Sequence, residues 1–170
     1  MNKLNLLLGG NLVLVLGVVN WITQDKEDLL QNGRVVLLEV GKYDPRSLMQ
    51  GDYMALRYLI SRTILQRLGE APETDGAVVL ALDPNGVGTF RRIYQEARAL
   101  AENEQLLRYK VRWGRRERVR VAAETFFFQE GMAAEFERAR YAELRVDAQG
   151  RTLLVALRDE DRKVIGERKK

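Results

Sequence analysis

The chain has 170 residues, with 28 basic and 24 acidic side chains, a net charge of +4, and neither histidine nor cysteine. Those absences exclude an imidazole base, a thiolate nucleophile, a thiolate zinc site, an iron–sulfur cluster, a haem thioether and a disulfide. Serine occurs only as Ser47 and Ser61, so a serine nucleophile has two candidates and would need a lysine or carboxylate as its base.

From Leu4 to Ile22 the sequence LNLLLGGNLVLVLGVVNWI runs 19 residues without a charge, between Lys3 and the polar segment Thr23, Gln24, Asp25. As a helix it measures about 28 Å, against a bilayer hydrocarbon core of ~30 Å, so it is long enough to span. Trp21 falls at the outer end, where an indole prefers the headgroup region. Asn11, in the middle, is better tolerated against a partner helix, across Gly10 and Gly17. A cleaved signal peptide needs small residues just before the cut, whereas this segment ends in Val18, Val19, Asn20, Trp21 and Ile22. A buried core helix of this length would carry charge on one face. The segment therefore reads as a transmembrane anchor over 4–22. Lys3 precedes it and an acidic turn follows, which puts residues 1–3 in the cytoplasm and the rest outside the plasma membrane, in a single-pass arrangement. The lack of cysteine agrees with a domain facing an oxidising space.

Residues 23–33 read as a polar linker or helical continuation carrying Leu29 and Leu30, with Gly33 placed to end it. A strand is expected over 34–40, its run Val35, Val36, Leu37 and Leu38 buried on both faces. After a loop over 41–50 containing Asp44-Pro45, Gly51-Asp52 launches a strand over 53–60. It has Met54, Leu56, Tyr58 and Ile60 on the buried face and Tyr53, Ala55 and Arg57 on the other. The spacing of Ile64, Leu65 and Leu68 is helical but ambiguous. A hairpin follows over 77–83 and 87–93 around Pro84-Asn85-Gly86, and 94–104 reads as a short helix.

The next hairpin, 106–113 and 117–122 around Gly114-Arg115-Arg116, is the most lopsided electrostatically. Alternation sends Tyr109, Val111, Trp113, Val119 and Val121 inward, and Arg108, Lys110, Arg112, Arg118 and Arg120 outward. From Leu106 to Val121 there are seven cations and one anion, a local charge of +6. Such a face suits anionic phospholipid headgroups or an acidic envelope polymer, although arginine on an exposed strand also blunts an edge. Nucleic acid is not expected, because the domain is outside the membrane and the aromatics point away from the cations. After Phe126, Phe127 and Phe128, a helix is expected over 130–140, then a hairpin over 141–147 and 151–158 around Ala148-Gln149-Gly150. The acidic run Asp159-Glu160-Asp161 lacks calcium-loop spacing and reads as a solvated turn, so neither a metal nor a cofactor is implied. About eight strands and two or three short helices make a β-rich α+β domain over 34–160, a curved antiparallel sheet or partial β-barrel, with a polar basic tail over 161–170.

The segment from Asp44 to Tyr58, DPRSLMQGDYMALRY, resembles the signature of the GDYXXLXY family of bacterial membrane-anchored proteins, with every named letter present: Gly51, Asp52, Tyr53, Leu56 and Tyr58. The stretch 126–159, with Gln129-Glu130-Gly131, Ala139-Arg140-Tyr141 and Leu144-Arg145-Val146, is similar to that family's C-terminal half. The resemblance implies a bacterial envelope protein working beside a polytopic membrane partner, and it carries over no catalytic or binding residue. Physically, Gly51 and Asp52 suit a turn, and Leu56 and Tyr58 a buried strand face. Tyr53 and Arg57 on the opposite face, joined from the loop by Arg46, Ser47 and Asp52, form a second candidate binding surface.

Ser47-Leu48 followed by Gly51-Asp52 is also similar to the tail of the type I signal peptidase motif Ser-Met-x-Pro-Thr-Leu-x-x-Gly-Asp. The nucleophile position, however, falls on Tyr43 when aligned on Leu48 and on Lys42 when aligned on Pro45. A displaced dyad of Ser47 with Lys110 would place its lysine among arginines on a polar face, unlike the desolvated lysine such chemistry needs. The sequence thus favours a non-enzymatic binding or accessory module, with a signal-peptidase-like hydrolase or its inactive relative as the alternative.

Overall fold

An unbroken helix, α1 (Lys3–Asn32), contains the whole uncharged segment and its polar continuation. The computed structural model describes residues 3–41, 53–69, 74–96, 98–112, 118–129 and 131–166, with the side chains of α1 from Asn11 onward. Among the described residues no helix is long and apolar enough to cross a membrane. The described apolar run of α1 begins at Leu12 and meets Thr23, Gln24 and Asp25 only a few turns later. The expected span over 4–22 is therefore helical throughout but is not established as a span by the fold.

The last turns of α1 are bound to the domain. Leu29 is buried, while Leu30 on the opposite side is exposed. Gly33 closes the helix by donating its N–H to Leu29 O at 3.0 Å. A side chain at Gly33 would run into that same carbonyl and into Arg145 Cβ at 3.0 Å, which is why the junction takes glycine. Arg145 Nη1 donates to Gly33 O at 3.1 Å, and Arg151 reaches both oxygens of Asp25 at 2.8 and 2.9 Å while bonding Asp147 at 2.5 Å.

Three antiparallel sheets follow. The first has the order β1 (Arg34–Glu39), β8 (Tyr141–Val146), β9 (Thr152–Arg158), and the second pairs β2 (Tyr53–Ala55) with β7 (Thr125–Phe127). The third has the order β4 (Gly88–Ile93), β3 (Asp75–Leu82), β5 (Glu104–Arg112), β6 (Arg118–Arg120). Backbone bonds stitch them into a curled half-barrel: Leu37 N donates to Gly86 O at 2.8 Å, Arg108 N to Gly150 O at 3.0 Å and Gly41 N to Arg57 O at 2.7 Å. Its concave side holds Leu38, Leu80, Leu107, Leu144 and Leu157, each fully buried, and α2 (Leu59–Leu68) lays Ile60 and Ile64 into the same core. A short helix, α3 (Ala133–Phe136), adds Phe136, which stacks on Phe128 at 4.8 Å between ring centroids and tilts against Phe126 at 5.5 Å. The β-rich α+β class expected from the sequence is the observed one.

Four local expectations are corrected. The strand expected over 53–60 ends at Ala55, and helix begins at Leu59. Tyr58 is still extended, but Ile60 and Ile64 sit one helical turn apart on the face that meets the core. The helix expected over 94–104 does not form. Arg98 N donates to Gln95 O and Glu104 N to Ala101 O in separate turns, and Leu100 is exposed, so no apolar face holds a helix there. The helix expected over 130–140 shrinks to α3, because Arg140 N already donates to Arg158 O and extends the β8–β9 ladder. Residues 161–166 are not free tail: Val164 bridges Arg158, and Ile165 is buried, with its N–H on Leu157 O at 2.9 Å.

The pairing of β3 with β5 sets Gly76 directly opposite Tyr109, and the phenol ring lies across the space a Cβ would fill, with Cζ at 2.6 Å and Cε1 at 2.9 Å. Replacing Gly76 by alanine must displace that ring. The expected cost is about 1–3 kcal/mol, read as a lower denaturation midpoint of the full chain.

Candidate functional site

Alternation along β5 builds two opposed surfaces from one strand. Leu107, Tyr109 and Val111 point into the core, and Arg108, Lys110 and Arg112 point out. β6 repeats the pattern, with Val119 buried between Arg118 and Arg120. The register places Lys110 directly opposite Arg120, and Arg112 directly opposite Arg118, so the five cations share one face. Part of the charge is offset locally. Lys110 Nζ is 3.4 Å from Asp75, and Arg120 Nε is 3.8 Å from Glu124. Arg108 spends its Nε–H on the carbonyl of Gln149 at 2.9 Å. Arg112 and Arg118 have no acidic partner among the described residues.

The second candidate surface is reached only in part. Arg46, Ser47 and Asp52 lie outside the described residues, as do Lys42, Tyr43 and Gly51. Tyr53 is half-buried opposite Phe127, with 6.1 Å between ring centroids, and Arg57 is exposed. Among the described residues β2 pairs only with β7, so Tyr53 does not belong to the cationic face of β5 and β6. The other named letters of the signature are structural. Leu56 is buried, and Tyr58 is buried with its hydroxyl donating to Ala123 O at 2.8 Å. Burial, assisted by the charge of Glu124, pushes the Tyr58 phenol upward. Phe127, 75% exposed, escaped the sequence reading because three successive phenylalanines hide the alternation that turns the middle one outward.

Lys110 is poorly placed to serve as a base. Its side chain is 77% exposed and its ammonium faces Asp75, the reverse of the desolvated pocket a catalytic lysine needs. Among the described residues no group of carboxylates could hold a metal ion. The run Asp159-Glu160-Asp161 is spent on its own turn, Asp159 accepting the Lys163 N–H at 2.9 Å and Asp161 meeting Lys163 Nζ at 3.3 Å.

The carboxylates that are tightly bound are structural. Glu104, at the opposite end of β5 from Arg112, accepts the Ala101 N–H at 3.1 Å and pairs with Arg92 at 3.1 Å and Arg91 at 2.9 Å. The Ala101 N–H above all, with the two guanidiniums behind it, holds this carboxyl below the usual carboxylate range. Asp83 is held down likewise, mainly by the Val87 N–H and then by that of Asn85, within the β3–β4 turn.

A domain with a cationic hairpin face on a β-rich α+β frame, carried behind an N-terminal helix, matches the family model described as GDYXXLXY protein over residues 15–157. The chain belongs to the GDYXXLXY family. No curated protein and no solved structure matches it.

Two outcomes follow from this geometry. Because folding lowers the pKa of Glu104 and of Asp83, their stabilisation is complete above the unfolded carboxylate pKa of about 4 and is lost as pH falls through the folded values. Denaturation midpoints should fall from neutral pH towards pH ~3, and Glu104→Gln should flatten that slope. Leu56→Ala should cost ~2–5 kcal/mol by opening a cavity, whereas Tyr53→Ala, removing a partly exposed ring, should cost well under half of that.

Proposed function

We propose that this chain is a single-pass protein of the bacterial plasma membrane, whose β-rich domain lies outside the cytoplasm and serves as a non-enzymatic accessory module for a polytopic membrane partner. The observation that carries the reading is the surface of α1. Leu12, Val13, Leu14, Val15 and Trp21 are 61, 70, 65, 49 and 70% exposed. Successive helical residues turn by about 100°, so these side chains face every direction, and a helix apolar all round belongs in lipid or inside protein. The uncharged sequence extends from Ile22 back to Leu4, a length of about 28 Å as helix.

The accessory role rests on what family membership implies and on the exposed, Asp75-facing placement of Lys110, the lysine considered as the base of a serine mechanism. The hydrolase alternative has no supporting observation, since Ser47 lies outside the described residues and Lys110 faces Asp75 in the open.

Alkaline carbonate washing should leave the full-length chain with the membrane, and a reporter active only outside the cytoplasm should be active when fused after Lys170. Recovery of a soluble form shorter by about 20 residues would instead identify a cleaved leader. A serine-reactive activity probe should leave the protein unlabelled; labelling at Ser47 would favour the hydrolase.

A further inference from the structure

We propose that the outward face of β5 and β6 docks on anionic phospholipid headgroups of the membrane that holds α1, an inference that rests on the anchored reading above. Three observations converge on it.

The first is position. β8 descends alongside the end of α1, with Arg145 bonded to Gly33 O and, two residues later, Asp147 sharing Arg151 with Asp25. Asp25 is eight residues closer than Gly33 to the apolar run, about 12 Å along the helix, so the β8–β9 turn lies near the point where α1 becomes apolar. Arg108 is held to that turn by two bonds, N to Gly150 O at 3.0 Å and Nε to Gln149 O at 2.9 Å. The cationic face therefore starts at the membrane-proximal turn.

The second is the pairing of like charges. Lys110 against Arg120 and Arg112 against Arg118 are directly opposed cross-strand pairs, an arrangement that opposes sheet formation. Protection of a strand edge accounts for arginine on β6, which ends the sheet. It does not account for Lys110 of β5, which is paired with Asp75 of β3 on one side and with Arg120 of β6 on the other. A negative surface laid on this face relieves both repulsive pairs at once.

The third is what is left without a counter-charge. Asp75 and Glu124 answer Lys110 and Arg120, while Arg112 and Arg118 have no acidic partner among the described residues. A cation close to an anionic bilayer favours the docked state by about 5.4-fold, so the pair together supplies about thirty-fold.

The chain lacks cysteine, so a single nitroxide can be placed at Ala77→Cys, on the residue of β3 opposite Arg108. The full chain is assembled into lipid nanodiscs of phosphatidylcholine alone or with about 30 mol% phosphatidylglycerol, and collision of the label with a water-soluble nickel chelate is measured. Docking predicts at least a two-fold drop in collision frequency on adding phosphatidylglycerol, reversed by about 0.5 M salt, which shortens the reach of the field. The same reversal is expected in Arg112→Gln/Arg118→Gln, and the salt arm decides the matter should that variant fold poorly. Equal collision frequency in both lipids, or a drop that ignores lipid charge and salt, overturns docking and leaves the anchor intact. Failure of the chain to enter nanodiscs overturns the anchor and docking together.

Discussion

The register of β5 against β3 is the constraint on which the rest of the molecule depends. It is fixed where the Tyr109 ring lies over Gly76, a glycine whose missing side chain leaves room for the phenol. With that rung set, Leu107 and Val111 enter the core and Arg108, Lys110 and Arg112 leave it. A slip of one residue would bury three cations and expose three core side chains, so the error is excluded by many kcal/mol. The cationic face is thus a consequence of the same register that fills the core, and β6 inherits it through the Val111–Val119 rung.

The domain is also not tethered loosely to its helix. Leu29 is buried, Gly33 fits only without a side chain, and Arg151 bonds Asp25 and Asp147 together. The two carboxylates push the Arg151 guanidinium pKa upward, so the guanidinium keeps its charge over all ordinary pH. Its energetic weight is modest because the pair is partly solvated. Its geometric effect is larger, since ionic, apolar and hydrogen-bonded restraints at residues 25, 29 and 33 lie along one side of the helix and fix the orientation of the half-barrel relative to α1.

Much of this was legible in the sequence where period and turn chemistry agree. The hairpins around Pro84-Asn85-Gly86 and Ala148-Gln149-Gly150 and the two-faced β5 all follow from alternation bounded by turn residues. Three features were not legible. Ile60 looks like the next residue of an alternating strand, and only its packing beside Ile64 assigns it to a helix. Residues 94–104 have the composition of a helix but no apolar face for the core to hold, so separate turns win. The Asp25–Arg151 contact joins residues 126 positions apart, which no local pattern encodes. In the family signature the buried letters Leu56 and Tyr58 were readable as core, while the outward turn of Phe127 beside Tyr53 was masked by its phenylalanine neighbours.

The two ends of β5 show how the same residue types reach different ends. At Glu104 the strand begins with a buried carboxylate that takes up Arg91 and Arg92 together with the Ala101 N–H, and the charges there are spent on holding β4, β5 and their connection together. Arg34, directly after α1, adds to this by donating to the carbonyls of Glu102 and Glu104 at 2.9 and 3.2 Å. At the far end the register sets Arg112 directly opposite Arg118, and neither has an acidic partner among the described residues. A strand stabilised at one end by internal ion pairs can carry repulsion at the other, because the core side chains on its reverse face already fix its position. Uncompensated charge concentrated on one outward face produces an external field rather than internal stability, and a field acts only on something outside the fold. If α1 is anchored as proposed, the charged surface nearest to that face is the bilayer itself.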